Sequence, residues 1–330
     1  MKLSTDVQVP PSPWKINYET RLMTIGSCFA EVVGNQLFES KFRGLPNLFG
    51  TVFNPYSIAK IVKMCYSATL PHVGHYLRSD GNLFFHYDFH SSVYSDVSVD
   101  DLDGKIRRSL YQTRQLIQNT DVLILTLGTA FAYRYLKTNE LVTNCHKSPG
   151  KEFRKELLTL ETLSGAMQEL LGLIARLNPG VRVILTVSPV RHTRDTLQLN
   201  QVSKSILRLL CHELEEKHEN VVYFPAYEIM LDELRDYRFY EPDLIHPDSV
   251  ATDHIFRTFL KAYLDADTHE TFKEWQQVVQ MLGHKPRHGY SPEYRKHLAQ
   301  TLERLRGLKS RLMVEKEIEE ISLILKNNYP

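Results

Sequence analysis

Residues 21–42 read RLMTIGSCFAEVVGNQLFESKF. A short apolar run, Leu22 to Ile25, stops at Gly26, and helix-like spacing of apolar residues begins within two positions. A strand that turns directly into a helix is the opening unit of an α/β fold. The turn between them carries two nucleophiles side by side, Ser27 and Cys28. Either Ser27 caps the helix by accepting a hydrogen bond from a first-turn amide, or it is a catalytic group displayed at a strand end.

The same unit recurs along the chain. VLILTLG (122–128) and VRVILTVSP (181–189) are continuous apolar runs. DLDGKIRRSLYQTRQLIQN precedes the first, and ETLSGAMQELLGLIARLNPG precedes the second and is stopped by Asn178-Pro179-Gly180. QVSKSILRLLCHELEEKH follows as a helix whose apolar face reads Val202, Ile206, Leu209, Leu210 and Leu214. VVYFPAYEIM (221–230) is expected as the last strand or a strand-like segment. Strands that do not alternate are buried on both faces, so the pattern predicts a parallel sheet covered by helices on each side. Between 43 and 120 the pattern is weaker; LFGTVFNPYSIAKIVKMCY is expected to be a strand end and a helix.

Three stretches differ in character. Pro10, Pro11 and Pro13 predict an extended arm over residues 1–20. The main domain is expected over 21–264, and a charged, helical extension over 265–330, with Ser291-Pro292 as N-cap and first helical residue. Leu298, Leu302, Leu305 and Leu312, continued by Ile318, Ile321 and Leu325, form one stripe. It suits either packing on the main domain or a homodimer seam.

Forty basic against 39 acidic residues give a formal charge of +1, so no global field favours nucleic acid or an anionic membrane. Cys28, Cys65, Cys145 and Cys211 show no CxxC or finger spacing, so no structural zinc site is expected. Neither a metal nor an organic cofactor is implied. The first residues lack the apolar core of a signal peptide, and no apolar run approaches the roughly 20 residues of a membrane span. A cytoplasmic location is the expectation.

Ligands of a doubly wound sheet bind outside the carboxyl ends of its strands. Those ends supply Gly26-Ser27-Cys28, Gly128-Thr129, and Ser188-Pro189 followed by Arg191-His192. Past the last strand, YEPDLIHPDSVATDH holds Asp243 and His246. A serine hydroxyl needs a base to take its proton, and the base needs a carboxylate to fix its tautomer. Asp243-Leu-Ile-His246 offers both from one short turn, stiffened by Pro242 and Pro247. Taken singly, a DxxH is more often a plain surface turn. Gly26 and Gly34 fit neither the dinucleotide nor the P-loop glycine pattern, so a nucleotide is not expected there. Successive helical side chains turn by about 100°, which is expected to aim Cys28 at the sheet and Ser27 at the cleft.

Together these pieces resemble the GSCFA family, a branch of the SGNH (GDSL-like) hydrolase superfamily. The resemblance rests on GSCFAE (26–31), FNPYSI (53–58), LGTAFAY (127–133), NCHK (144–147), TVSPVRH (186–192) and DLIHPD (243–248), in order over roughly residues 20 to 260. It implies a three-layer α/β/α doubly wound parallel sheet, with Ser27 as nucleophile, His246 as base and Asp243 orienting it; His192 and His146 are the rival bases. The superfamily's third block reads GxND, whereas this chain has Gly128-Thr129-Ala130-Phe131 and lacks the amide. Gly50 is the candidate for the second-block glycine. Asn54 is expected to restore the missing amide, the alternative being that it caps a helix beginning at Pro55. The N–H of Ser27 and groups near Gly50, Asn54, Gly128 and Thr129 are the expected oxyanion donors, with His192 and His146 completing the candidate substrate-binding set. His146, within NCHK, either meets substrate or organises a loop. The implied function is a serine esterase acting on a small-molecule or carbohydrate acyl ester, with acetyl the candidate acyl group. Its rivals are an O-acyltransferase using the same acyl-enzyme, and a non-catalytic carbohydrate-binding or scaffold protein, which the missing Asn favours.

Overall fold

The computed structural model describes residues 5–67, 76–78, 82–286 and 290–327. In chain order its elements are β1 (Arg21–Gly26), α1 (Cys28–Glu39), β2 (Arg43–Leu45), α2 (Pro55–Met64), β3 (Tyr76–Arg78), β4 (Phe84–His86) and β5 (Ser95–Asp96). Next come α3 (Val99–Asn119), β6 (Val122–Leu127), β7 (Phe131–Tyr135), β8 (Glu140–Val142), β9 (Phe153–Leu157), α4 (Leu160–Leu177), β10 (Arg182–Val187) and α5 (Leu197–Lys217). The chain continues through β11 (Val221–Tyr223), α6 (Ala226–Glu228), α7 (Ser249–Tyr263), α8 (Ala266–Leu282), α9 (Pro292–Leu308) and α10 (Glu315–Asn327).

The apolar runs form the central sheet, ordered β11-β10-β6-β1-β2. β1, β6, β10 and β11 pair in parallel, and the register sets Gly26 level with Thr126 and Thr126 level with Thr186. The carboxyl ends of three strands therefore finish on one rim. Gly26 has φ +146°, and a Cβ there would lie 2.1 Å from Thr126 O, so only glycine lets β1 approach β6 this closely before the turn.

Alternate side chains go to opposite layers. Met23, Ile25, Leu125 and Leu185 join one buried cluster with Ile58 of α2, Ile106 of α3, Met167 of α4 and Leu207 of α5. Ile124, Thr126, Ile184 and Thr186 face Phe29 and Val33 of α1 and Ile255 and Phe259 of α7. Helices thus cover both faces of the parallel sheet, as its unbroken apolar strands require. Truncating a member such as Leu125, which is 0% exposed, to Ala costs about 2–5 kcal/mol.

Two small antiparallel sheets, β3-β4-β5 and β8-β7-β9, were not legible in the sequence. The expected strand 221–230 is also corrected: β11 ends at Tyr223, and Pro225 is followed by the helical turn α6 and a π-helical turn over Ile229–Glu233. Residues 51–54, expected to end a strand, form an irregular loop that runs into α2.

The chain divides into two compact units. The first gathers Arg21–Gln36 and Gly44–Phe259. The second contains Pro10–Thr20, Leu37–Arg43 and the chain from Leu260 onward. Within the second, the proline-rich segment is extended: Ser12 N donates to Ala262 O (2.9 Å) and Ile16 N to Tyr263 O (2.8 Å). Trp275 Nε1 donates to Glu39 O (2.9 Å), and Tyr18 stacks on Phe42 at 4.6 Å. Ser291 caps α9 by accepting from Tyr294 N (3.2 Å). Leu298, Leu302, Leu305, Leu312 and Ile321 are buried within the single chain, while Ile318 and Leu325 are half-buried. Most of the stripe is therefore occupied by intrachain packing.

Candidate active site

The most complete part of the site is the turn after the π-helical segment. Leu244 takes φ +57°, a left-handed conformation that folds the D-x-x-H loop back on Asp243. Asp243 Oδ1 accepts from Ile245 N (2.8 Å) and His246 N (3.0 Å), and Oδ2 meets His246 Nδ1 at 2.7 Å. The His246 and Ile245 amides and the His246 ring hold the Asp243 carboxyl down at about 2. With Nδ1 engaged by an ionised carboxylate, Nε2 is left as the proton-accepting nitrogen. Both side chains are about half exposed.

Ser27 lies directly beyond β1, and its N–H extends the parallel ladder by donating to Thr126 O (3.0 Å). Its Oγ accepts from Phe29 N (3.3 Å), a capping contact within the first turn of α1. Ser27 is only 1% exposed, whereas Cys28 is partly exposed, the reverse of the order expected. Burial pushes the Cys28 thiol above its usual range, which disfavours the thiolate. Among the described residues no hydrogen bond joins Ser27 to His246. A chain of contacts nevertheless links the strand ends. A Cβ on Gly128 would lie 3.2 Å from Ser27 Cβ. Gly128 N and Thr129 N both donate to Phe53 O, at 2.7 and 3.0 Å. The Phe53 ring meets the His192 ring edge-on at 5.5 Å. Arg191 N donates to Ile245 O (3.2 Å), tying the His192 loop to the His246 loop.

Asn54 requires a correction. Its Oδ1 accepts from Tyr56 N (2.8 Å), and Nδ2 donates to Thr129 O (3.2 Å) and Phe131 O (3.0 Å). It is the N-cap of α2 with Pro55 at the first helical position, and both amide hydrogens are spent on carbonyls. It has none left for an oxyanion. The other expected donors are engaged as well: Ser27 N as above, Gly50 N on Asn47 O (2.8 Å), and Gly128 N and Thr129 N on Phe53 O. Gly50 is a turn residue with φ +65°. His146 organises a loop: Nε2 contacts His86 O at 3.0 Å, and its ring stacks on Phe85 at 5.4 Å. Burial, the largest cause, holds its pKa below the usual range.

His192 emerges differently. Burial first, then the nearby charges of Lys204 and Lys155, hold its pKa down at about 3, so the ring is neutral at ordinary pH. Its backbone N–H donates to Asn200 Oδ1 (2.9 Å), while Nε2 is buried and has no hydrogen-bond partner among the described residues. A ring that protonates only near pH 3 is a poor general base at neutrality, but it is a suitable hydrogen-bond donor.

Three side chains of α5 support this rim and were missed in the sequence. Asn200, Ser203 and Lys204 are 3%, 2% and 1% exposed. Ser203 Oγ accepts from Ala130 N (2.8 Å), and Lys204 Nζ donates to Gly128 O (2.8 Å) and Ser188 O (2.7 Å), fastening the ends of β6 and β10 together. Burial lowers the Lys204 pKa to about 7. The expected apolar face of α5 is rotated: Val202 and Leu209 are exposed, and the buried row is Asn200, Ser203, Lys204, Leu207, Leu210, Cys211 and Leu214. Asn47, also missed, brackets Gly26, with Oδ1 accepting from Gly26 N (3.1 Å) and Nδ2 donating to Gly26 O (3.3 Å).

Among the described residues no group of three His, Cys, Asp or Glu side chains is placed to hold a metal ion, and no helix is long and apolar enough to cross a membrane.

Fold and rim define an α/β protein with a serine on its first strand-to-helix turn and an Asp–His pair on a loop tied to the same edge. The chain belongs to the GSCFA family, whose model matches residues 21–259; the GSCFA domain protein C-terminal domain matches 275–327. No curated protein sequence matches the chain. Solved structures similar to it include an alpha/beta hydrolase enzyme from the metagenome of Lake Arreo, Spain, at 11% identity, covering 75% of this chain and 96% of that one with a TM-score of 0.42. Another is a carbohydrate esterase family 3 protein from Talaromyces cellulolyticus, at 12% identity, covering 79% and 98% with a TM-score of 0.35. At these values the likeness carries no argument about activity.

Proposed function

We propose that the chain is a serine esterase acting on an acyl ester, with an acetyl group on a carbohydrate as the candidate substrate. The observation that supports this best is the 2.7 Å contact between His246 Nδ1 and Asp243 Oδ2, on a loop fastened to the strand-end rim that carries Ser27. In this reading Ser27 Oγ attacks the ester carbonyl while His246 Nε2 takes its proton. His246 then returns the proton to the leaving alcohol, and water repeats the cycle on the acyl-enzyme. Asp243 holds the ring and stabilises its cationic form. The unpartnered Nε2 of neutral His192 donates to the oxyanion in place of the absent third-block amide, and the first-turn amides of α1 add the positive end of a helix. Because Ser27 is almost fully buried, its Oγ meets substrate only when a rim loop moves aside.

One observation favours a second reading, a scaffold or carbohydrate-binding protein that has kept the fold without catalysis. The expected oxyanion donors are all engaged within the protein, and among the described residues no hydrogen bond joins Ser27 to His246. Hydrolysis of an activated acetate ester separates the two readings. The esterase reading predicts turnover abolished by Ser27→Ala and cut about 10⁴-fold by Asp243→Asn, through loss of tautomer control. Turnover unchanged by Ser27→Ala, or absent from the wild type, would sink it.

A further inference from the structure

Ser27 is almost fully buried, so part of the rim has to move before a substrate reaches it. The loops of the rim are held very differently. Residues 51–54 are tied down by Val52 N on Gly26 O (2.7 Å), by Phe53 O, which accepts from Gly128 N and Thr129 N, and by Asn54 Nδ2 on Thr129 O and Phe131 O. The His246 loop is held by Asp243, by Arg191 N on Ile245 O and by Glu241 N on His246 O (2.8 Å). The turn Thr193–Asp195, directly after His192, has no such support. Among the described residues its one backbone hydrogen bond is local, Thr196 N to Thr193 O (3.1 Å). Its one tie to another element there is an ion pair, in which both carboxylate oxygens of Asp195 meet Lys155 Nζ on β9.

That pair is more than a surface contact. The Asp195 and Lys155 side chains are 17% and 33% exposed, and the ammonium lies over the rings of Phe131 (4.9 Å) and Tyr133 (5.8 Å). Partial burial and two ring faces strengthen an attraction that full exposure would screen. At the far end of the turn Thr196 takes φ +77°, which a β-branched residue adopts only under strain. The turn is therefore a strained segment fastened to the rest of the rim at one point.

We propose that the Thr193–Thr196 turn is the lid of the Ser27 site and that the Lys155–Asp195 pair is its latch. His192, at the foot of the turn, sets its ring edge-on against Phe53 at 5.5 Å. A Cβ on Gly128 would lie 3.0 Å from Phe53 O and 3.2 Å from Ser27 Cβ, which puts Phe53 and Ser27 side by side. Swinging the turn outward draws the His192 ring away from the residues that flank Ser27, while the better fastened loops stay in place. The role of lid rests on the esterase reading; the latch itself does not.

Hydrogen exchange of the full chain, followed by mass spectrometry, reads the latch without any need for catalysis. In Lys155→Met and in Asp195→Asn, the amides of residues 192–199 should exchange at least about 5-fold faster than in the wild type, with β6 unchanged. Salt at about 1 M should speed this exchange in the wild type and leave both variants where they are. Reaction of Ser27 with a fluorophosphonate probe should quicken by a similar factor in both variants. Lys155→Asp combined with Asp195→Lys re-forms the pair with its charges exchanged and should slow both rates again, which a general loosening of the fold would not do. Should one single variant misfold, seen as faster exchange in β6, the other variant and the salt series carry the test. Equal exchange of 192–199 in wild type and variants overturns the latch. Faster exchange with unchanged labelling of Ser27 overturns the lid. A wild type whose Ser27 never reacts sinks the esterase reading instead, and the exchange rates then decide the latch by themselves.

Discussion

Asn54→Asp should destabilise the protein more than Asn54→Ala, although Asp is as good a helix N-cap as Asn. In the wild type, Oδ1 caps α2 through Tyr56 N, while Nδ2 bridges Thr129 O and Phe131 O at 3.2 and 3.0 Å. Alanine loses the cap, about 1 kcal/mol. It also leaves two carbonyls without their donor, at about 1 kcal/mol each if water replaces part of the loss. The sum is about 3 kcal/mol. Aspartate keeps the cap but sets a carboxylate oxygen against both carbonyls, at a position only 4% exposed. The same two bonds are lost and an unpaired charge is buried, so the cost should exceed that of alanine by about 1–3 kcal/mol. Urea unfolding followed by circular dichroism at neutral pH measures both variants. Since the amide has no hydrogen to offer substrate, Asn54→Ala should retain turnover on an activated ester within about 10-fold. An Asn54→Asp protein as stable as the wild type would refute the geometry. So would an Asn54→Ala protein of native stability with turnover down about 100-fold, the signature of a lost oxyanion donor.

Lys204 should give the fold a pH dependence with a definite sign. Its folded pKa of about 7 lies below the roughly 10.4 of an unfolded lysine, so from pH 7 to about 10 the unfolded chain holds a proton that the folded chain lacks. Stability therefore rises with pH across that window and is flat below it, by up to about 1.4 kcal/mol per unit. Lys204→Met should remove this increment from urea-unfolding curves compared at pH 7 and 9; identical slopes in the two proteins would count against the buried amine. His192→Phe keeps a ring against Phe53 and removes the unpartnered Nε2, so turnover should fall about 10²–10³-fold while stability moves by less than about 1 kcal/mol. Normal turnover in that variant would end the donor role.

What the sequence revealed follows from where each signal is stored. β1, β6 and β10 were readable because burial on both faces makes a strand a local run of apolar residues, as in Val122–Leu127. α9 was readable from Ser291-Pro292, a cap written in two adjacent residues. β7 to β9 were not, because FAYRY and FRKEL mix aromatic and charged residues and become strands only through pairing with each other. Asp243 and His246 were legible because they lie three positions apart on one short loop. Lys204 was not, since a lysine within QVSKSILRLL reads as a solvent-facing position. One signal was available: Asn200, Ser203 and Lys204 lie at helical spacing on the same row as Leu207, Leu210 and Leu214. Choosing the more apolar row, through Val202 and Leu209, turned the helix the wrong way. The core-facing row is the one whose polar residues hold the ends of the neighbouring strands.

The central claim is that Ser27 is a nucleophile activated from the loop of Asp243 and His246. A fluorophosphonate probe, which bonds only to an activated nucleophile, tests it with the least dependence on knowing the substrate. The protein is incubated with the probe, digested, and the adduct is located by mass spectrometry in wild type, Ser27→Ala, Cys28→Ala and His246→Ala. The account predicts one adduct, on Ser27, kept in Cys28→Ala and lost in both Ser27→Ala and His246→Ala. Labelling on Cys28, labelling of Ser27 that persists without His246, or a wild type that never reacts would contradict it.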